Sequence, residues 1–256
     1  EAAAILNDRV PLTHLINTHH HGDHIGGNPA FTDLTRIGHA NLNGRVQPQM
    51  DRLINGARAL YRQVSTMRDV SMEPVVEDMD KLIDHLDDLD ADDFTVGRTL
   101  TDELDLEIGG VKLQLRHTGA GHTDSDVFIY LPDHNILHTG DLVFHKLHPY
   151  MDPEGGANSR GWQQSLLNCL QLCDEDTIVV PGHGDVTDKS GIEEQIRYFD
   201  EMRRVIRHAR DVEGMSRDEI VNLTPGPFSD YGFESIIPRM LGALYDEMAA
   251  ETPQTR

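Results

Sequence analysis

The chain predicts an α/β fold, and three observations carry that prediction. Residues 94–141 hold short apolar-alternating segments of strand period, separated by Gly109-Gly110 and Pro132-Asp133-His134 turns. Residues 45–93 and the stretch after Ser190 follow the longer period of amphipathic helices. Glycine-containing loops rich in histidine and aspartate come directly after apolar strand segments, as in sheets that gather loops along one edge. The chain has 256 residues, enough for a sizeable core. Without an internal repeat or a low-complexity linker, one domain over 1–256 is the simplest division. Its core lies at about 12–190 and a helical segment at about 191–256.

In chain order, residues 1–7 read as the end of a helix, stopped by Pro11, and 12–17 as a short strand. Gly26-Gly27-Asn28-Pro29 marks a loop. A second strand is expected at 35–39. Two helical stretches fill 45–93. In the acidic second one, Met79, Leu82, Ile83, Leu86 and Leu89 make a single apolar face, so its charges form the solvated side. Strands follow at 104–108, 111–116, 127–131 and 135–138. Ser159 is positioned to cap a helix running to about Cys173. Residues 176–180 read as a buried strand ending at Pro181-Gly182. The chain is helical again after Ser190, with a break at Pro225-Gly226-Pro227.

Composition removes several function classes. The formal net charge is −22, from 44 acidic and 22 basic residues. Such a surface repels phosphate backbones, so nucleic acid and anionic membranes are not expected partners, and a small-molecule substrate is. Only four lysines occur (Lys81, Lys112, Lys146 and Lys189), and scarce lysine beside abundant carboxylate resembles proteins adapted to high salt. No run approaches the roughly 20 apolar residues of a membrane span. The first residues lack the basic start and apolar stretch of a secretory signal, which points to the cytoplasm. The oligomeric state stays open. Cys169 and Cys173, the only cysteines, stand four apart in a helical pattern and read as packing residues.

The chemistry concentrates at residues 18–28, Thr-His-His-His-Gly-Asp-His-Ile-Gly-Gly-Asn. Inside this run His19-x-His21-x-Asp23-His24 offers four ligand-type side chains within six residues. Imidazole and carboxylate donors suit zinc, and also iron(II) or manganese. Three further positions share this character. His122 lies in Gly-Ala-Gly-His-Thr before a strand, Asp141 in Thr-Gly-Asp after one, and His183 in Pro-Gly-His-Gly after another.

The set resembles the metallo-β-lactamase superfamily, whose motif is His-x-His-x-Asp-His followed by separated His, Asp and His ligands. The resemblance covers about residues 12–190 in the family's order. It implies an αββα four-layer sandwich and a centre of two Zn²⁺ ions, with Fe²⁺ or Mn²⁺ as alternatives. By position it puts His19, His21 and His122 on the first ion, Asp23, His24 and His183 on the second, and Asp141 between them. It further implies a hydrolase in which a metal-bridging hydroxide attacks an ester, thioester, lactone or amide-type carbonyl, with Asp23 as the catalytic carboxylate. Family members carry several strands before the motif, whereas 18 residues precede it here, so a first sheet lacking some N-terminal strands is expected.

An aspartate at position 141 resembles the glyoxalase II and lactonase branches more than the cysteine-bearing zinc β-lactamases, so β-lactamase activity is an alternative and not the leading reading. Glyoxalase II uses basic residues in its helical C-terminal part. Here Arg203, Arg204, Arg207 and Arg210 fit a solvated helix stripe equally well. An iron-dependent oxygenase on the same fold and a non-catalytic metal-binding protein are the remaining rivals. Of the other histidines, His20 is expected to point away from the metals. His14, His39, His85, His117, His134, His138 and His208 read as structural or exposed, while His145 and His148 could line a pocket.

Overall fold

A computed structural model describes residues 11–66, 81, 84, 88–224 and 226–251. The chain divides into two compact units, Glu1–Thr99 and Leu100–Arg256. The expected helix at 1–7 and Met79, Leu82, Ile83 and Leu86 of the acidic face lie outside the described residues. Among the described residues, no helix is long and apolar enough to cross a membrane.

The first unit is built on a three-stranded sheet of β1 (His14–Ile16), β2 (Thr35–His39) and β3 (Arg98–Leu100), in that order. β1 and β2 run parallel, with Ile16 opposite Ile37. β2 has the extent its sequence predicts, and β1 is shorter than the expected 12–17. The segment read as a plain loop after β1 contains a one-turn helix, α1 (Gly22–Ile25), and a 3-10 turn at Asn28–Phe31. α2 (Leu42–Thr66) presents Leu42, Val46 and Met50 at four-residue spacing. That stripe packs with Ile25, Phe94 and Val96 in a buried cluster, with Leu89 against it. Ile25 thereby ties the histidine-rich turn to the unit's core.

The second unit holds a five-stranded sheet in sequence order: β4 (Glu103–Ile108), β5 (Val111–Arg116), β6 (Phe128–Leu131), β7 (Ile136–Phe144) and β8 (Ile178–His183). The first four strands form an antiparallel meander. β8 runs parallel to β7. A parallel neighbour requires a crossover, and α3 (Ser159–Leu170) lies in it. α4 (Lys189–Asp211), α5 (Arg217–Ile220) and α6 (Ile237–Glu251) follow. Trp162, Leu166 and Cys169 of α3 are buried together with Phe199, Met202 and Ile206 of α4, Met240, Leu241 and Leu244 of α6, and Leu137, Val143 and Val179 of the sheet. Cys169 and the half-buried Cys173 are free thiols, so the packing role expected of them holds.

Three local differences from the sequence expectation have clear causes. β7 continues through Thr139-Gly140-Asp141 to Phe144, because Gly140 takes a φ of +53° inside a register shift that lets the strand bend without ending. α3 is capped by Asn158, whose side-chain oxygen accepts from Gly161 N at 2.8 Å. Ser159 is already helical, and its hydroxyl donates to Glu247 Oε1 at 2.9 Å. Arg203, read as part of a solvated stripe, is 2% exposed. It donates to Ser159 Oγ at 2.7 Å and Glu247 Oε1 at 3.3 Å, and pairs with Glu251.

Candidate metal centre

The seven expected ligands fall into two sets, four in the first unit and three in the second. In the first, β1 ends at Ile16, and Asn17 and Thr18 lead straight into the histidine run. His19 Nε2 lies 3.1 Å from His21 Nδ1. The His19 ring centroid is 4.7 Å from that of His21 and 4.1 Å from that of His24. Asp23 and His24 occupy α1, where Asp23 Oδ2 approaches His24 Nε2 at 3.4 Å, and the carboxylate is the exposed member of the group. His19 and His21 are buried, as is the intervening His20.

Sequence reasoning passed over the residues that hold this turn. The Thr18 hydroxyl sits 3.1 Å from His19 Nδ1 and 3.4 Å from His24 Nδ1, while His19 Nε2 faces His21 and His24 Nε2 faces Asp23. A partner on the far nitrogen fixes the tautomer and orientation of a ligating imidazole. Asn17 donates to the His24 carbonyl at 3.0 Å and also pairs with Asn28, which reaches on to the Phe94 carbonyl at 2.7 Å. The available signal was two buried-type amides bracketing a polar run, which becomes meaningful only when the turn closes.

In the second unit, β7 delivers Asp141 and β8 delivers His183, while the turn before β6 supplies His122. Both imidazoles converge on one oxygen: His122 Nε2 and His183 Nε2 each lie 3.3 Å from Asp141 Oδ2. Asp141 and His122 are buried, and His183 is partly exposed. Rings fix the imidazoles from behind. Trp162 lies edge-on to His122 at 5.0 Å, and Phe144 stacks on His183 at 4.9 Å. The Trp162 indole donates to the Leu142 carbonyl at 2.8 Å, locking α3 to β7.

The backbone is as close-fitting as the side chains. A Cβ on Gly182 would fall 1.9 Å from Asp141 Oδ1, and one on Gly161 would fall 2.0 Å from the Ala120 carbonyl oxygen. Only glycine lets β8 pass Asp141 and α3 pass the His122 turn this closely. Asp126 shapes that turn. Its carboxylate accepts from Thr123 Oγ1 at 2.6 Å and from Thr123 N at 2.9 Å. Burial pushes the Asp126 carboxyl up to about 7, with the Thr123 bonds pulling the other way and the nearby Asp141 charge adding to the rise.

His145 and His148, read as possible pocket residues, each use Nδ1 in a contact within the second unit. His145 Nδ1 lies 2.8 Å from the Asp185 carbonyl oxygen, and the buried His148 Nδ1 lies 2.7 Å from Tyr198 Oη.

The family model described as the Metallo-beta-lactamase superfamily matches residues 2–183, which includes all seven residues. A metallo-beta-lactamase type 2 of Bacillus cereus is 32% identical over 84 residues, 33% of this chain and 33% of that protein. A linear primary-alkylsulfatase of Pseudomonas sp. (strain ATCC 19151) is 26% identical over 251 residues, 91% of this chain and 46% of that protein. The chain thus spans between a third and a half of the length of these two curated relatives. Among solved structures, a metallo-beta-lactamase from Pontibacter korlensis superimposes with a TM-score of 0.50 at 20% identity, covering 75% of this chain and 70% of that one. The α/β architecture therefore matches the metallo-β-lactamase fold, and the chain belongs to the metallo-β-lactamase superfamily.

Proposed function

We propose that the protein is a zinc-dependent hydrolase of a small-molecule substrate. In this reading His19, His21 and His122 hold one ion, Asp23, His24 and His183 the other, and Asp141 serves both. The observation that carries it is the convergence of His122 and His183 on Asp141 Oδ2, each at 3.3 Å, within a shell of packed rings. Two imidazoles aimed at one buried carboxylate oxygen form a donor set suited to a divalent cation, and an all-nitrogen-and-oxygen set fits zinc. Bound there, two zinc ions lower the pKa of coordinated water, so that hydroxide is available near neutral pH.

The chain's own residues do the rest. Thr18 holds His19 and His24 by their Nδ1 atoms, with Nε2 of each turned toward another candidate ligand, His21 or Asp23. Asp126 fixes the turn that presents His122. Asp23, the exposed carboxylate, is the group to orient a nucleophile or take its proton. The substrate bond in this reading is an ester, thioester, lactone or amide-type carbonyl. A second reading, cleavage of an alkyl sulfate ester, is favoured by the alkylsulfatase relative, which matches 91% of the chain where the β-lactamase matches 33%.

The test is a panel of aryl ester, thioester, lactone, β-lactam and alkyl sulfate, offered to zinc-reconstituted protein of measured metal content. About two zinc ions per chain are expected, with turnover of one substrate class abolished by chelation and restored by zinc. One ion or fewer overturns the shared role of Asp141, and no turnover overturns the hydrolase. Bound iron with oxygen consumption moves the protein to the oxygenase reading.

A further inference from the structure

We infer that Phe233 is a specificity-determining residue of the proposed hydrolytic site and selects substrates that carry an alkyl or acyl chain beside the reacting bond. The inference rests on the hydrolase reading for the reaction but on separate observations for the chain. Phe233 lies fifty residues beyond His183 and outside the segment matched by the family model. Its ring centroid nevertheless sits 5.8 Å from that of His183, at an interplanar angle of 61°. Two phenylalanines thus flank this imidazole. Phe144 stacks on it and is buried, whereas Phe233 is 45% exposed. One ring belongs to the core, and the other presents apolar surface to solvent next to a ligand.

The backbone argues that this placement is imposed. Phe233 has a φ of +67° and a ψ of +34°, the left-handed region that a β-carbon disfavours. Among the described residues only Asn135 and Lys146 share it without being glycine. Asn135 sits in the tight turn before β7, where asparagine is at home, and Lys146 is held by its ion pair with Glu194 at 2.6 Å. Phe233 is held from both sides. His148 N donates to the Gly232 carbonyl at 2.9 Å, Gly232 N donates to the Lys146 carbonyl at 3.1 Å, and Ile236 N donates to the Phe233 carbonyl at 3.1 Å. Gly232 passes so close to Leu147 that a Cβ there would lie 2.7 Å from its Cδ2. The segment that leaves Asp141 along β7 thus clamps the loop that aims Phe233. A large apolar side chain kept in a disfavoured conformation, exposed, beside a metal ligand, is what a substrate-contacting wall requires. Burying a methylene against such a wall is worth about fourfold in affinity.

Calorimetric titration of zinc-reconstituted protein with acetate, hexanoate and decanoate reads this without turnover. Wild type is expected to bind decanoate at least about 15-fold more tightly than acetate, equivalent to two or more buried methylenes. Phe233→Gly is expected to shrink that ratio at least about fivefold, and Phe233→Leu to keep most of it. Glycine also relieves the left-handed strain, so metal-free Phe233→Gly is expected to melt at the wild-type temperature or above. A ratio that is the same in wild type and Phe233→Gly overturns the inference, as does a wild type that binds no carboxylate. A melting temperature several degrees lower in Phe233→Gly makes the ring structural and also overturns it. A wild type with the chain-length preference that hydrolyses none of the panel leaves Phe233 in its role and overturns the hydrolase reading alone.

Discussion

Asn17 and Asn28 exchange two side-chain hydrogen bonds across the histidine-rich turn, each Nδ2 donating to the other's Oδ1, at 3.0 and 2.9 Å. Both side chains are buried, so neither can fall back on solvent. Asn28→Ala removes the donor to Asn17 Oδ1 and to the Phe94 carbonyl, while Asn17 Nδ2 keeps the His24 carbonyl. The expected loss is about 1–3 kcal/mol of stability, the cost of an unsatisfied buried polar group. Urea unfolding measures it, and zinc affinity is expected to fall in parallel as the turn loosens. A variant with an unchanged midpoint would mean that the pair does not clamp the turn.

Gly182 tests how closely β8 must pass Asp141. In Gly182→Ala the new methyl meets Asp141 Oδ1 and the Asp141 backbone nitrogen. Backbone cannot swing away as a flexible side chain would. Overpacking of this kind costs about 1–3 kcal/mol, and here it moves a carboxylate shared by two imidazoles. Competition with a chromogenic zinc chelator is expected to report weaker binding even where the variant folds. Wild-type affinity would show that the strands can spread without disturbing the site.

Asp141→Asn keeps the shape and removes the charge. Under the proposed function, the variant keeps most of the ion held by His19, His21 and His122 and loses affinity for the other. Activity is expected to fall at least about 100-fold. Metal analysis and turnover on the best substrate of the panel check this together. Two tightly held zinc ions with near-normal turnover would make Asp141 a structural residue.

Arg203 offers a test of stability rather than of the site. Replacing it by methionine preserves the aliphatic stem and leaves Ser159 and Glu247 without their guanidinium. Breaking a fully buried pair costs about 3–5 kcal/mol. Glu251 is partly exposed, so about 2–3 kcal/mol is expected here. Thermal melts of Arg203→Met beside Arg204→Met separate the two positions. Arg204 pairs only at the surface with Glu201 and is expected to cost little. Equal effects would restore the picture of a uniform solvated stripe.

His148 gives a pH dependence with a definite sign. Burial holds its imidazole below the ordinary value of 6.5, with Glu234 opposing weakly. The unfolded chain therefore takes up the proton first. The stability this residue contributes is present above about pH 6.5 and is lost as the pH falls below it. Denaturant unfolding from about pH 7.5 to about 5.5 is expected to show a shallower decline for His148→Gln than for wild type. Identical slopes would show that His148 is as easily protonated in the fold as outside it.

Most strands, and the spacing that singled out the candidate donors, were legible because their signals are local. Alternation alone placed β2 and β5 at their observed bounds, and the His-x-His-x-Asp-His spacing marked one set of donors before any contact was known. What escaped depends on partners distant in sequence. Asp141 read as a loop residue because Thr-Gly-Asp resembles a strand end. The strand continues because β8 pairs alongside it and Gly140 absorbs the bend. Arg203 is set apart from Arg204 and Arg207 only by facing Ser159 and Glu247, 44 residues away on either side. Thr18 and Asp126 look like ordinary loop polars until the imidazoles they support are in place. Phe233 carried no sequence signal, since its neighbour His183 is brought to it by tertiary structure.

The parallel pairing of β7 with β8 also sets an order of events during folding. The meander from β4 to β7 forms between neighbours, but Ile136 meets Ile178 only after the whole α3 crossover has closed behind it. The entropy of that closure must be met before the contact rewards it, so β8 joins the sheet late. On this order Asp141 is expected in place before His183. Under the proposed function, a cation held by both would grip only the finished strand pair and act as a latch on the crossover. Stripping it would then be expected to free the β8 end of the sheet to open first, while the meander hairpins keep their amide protons.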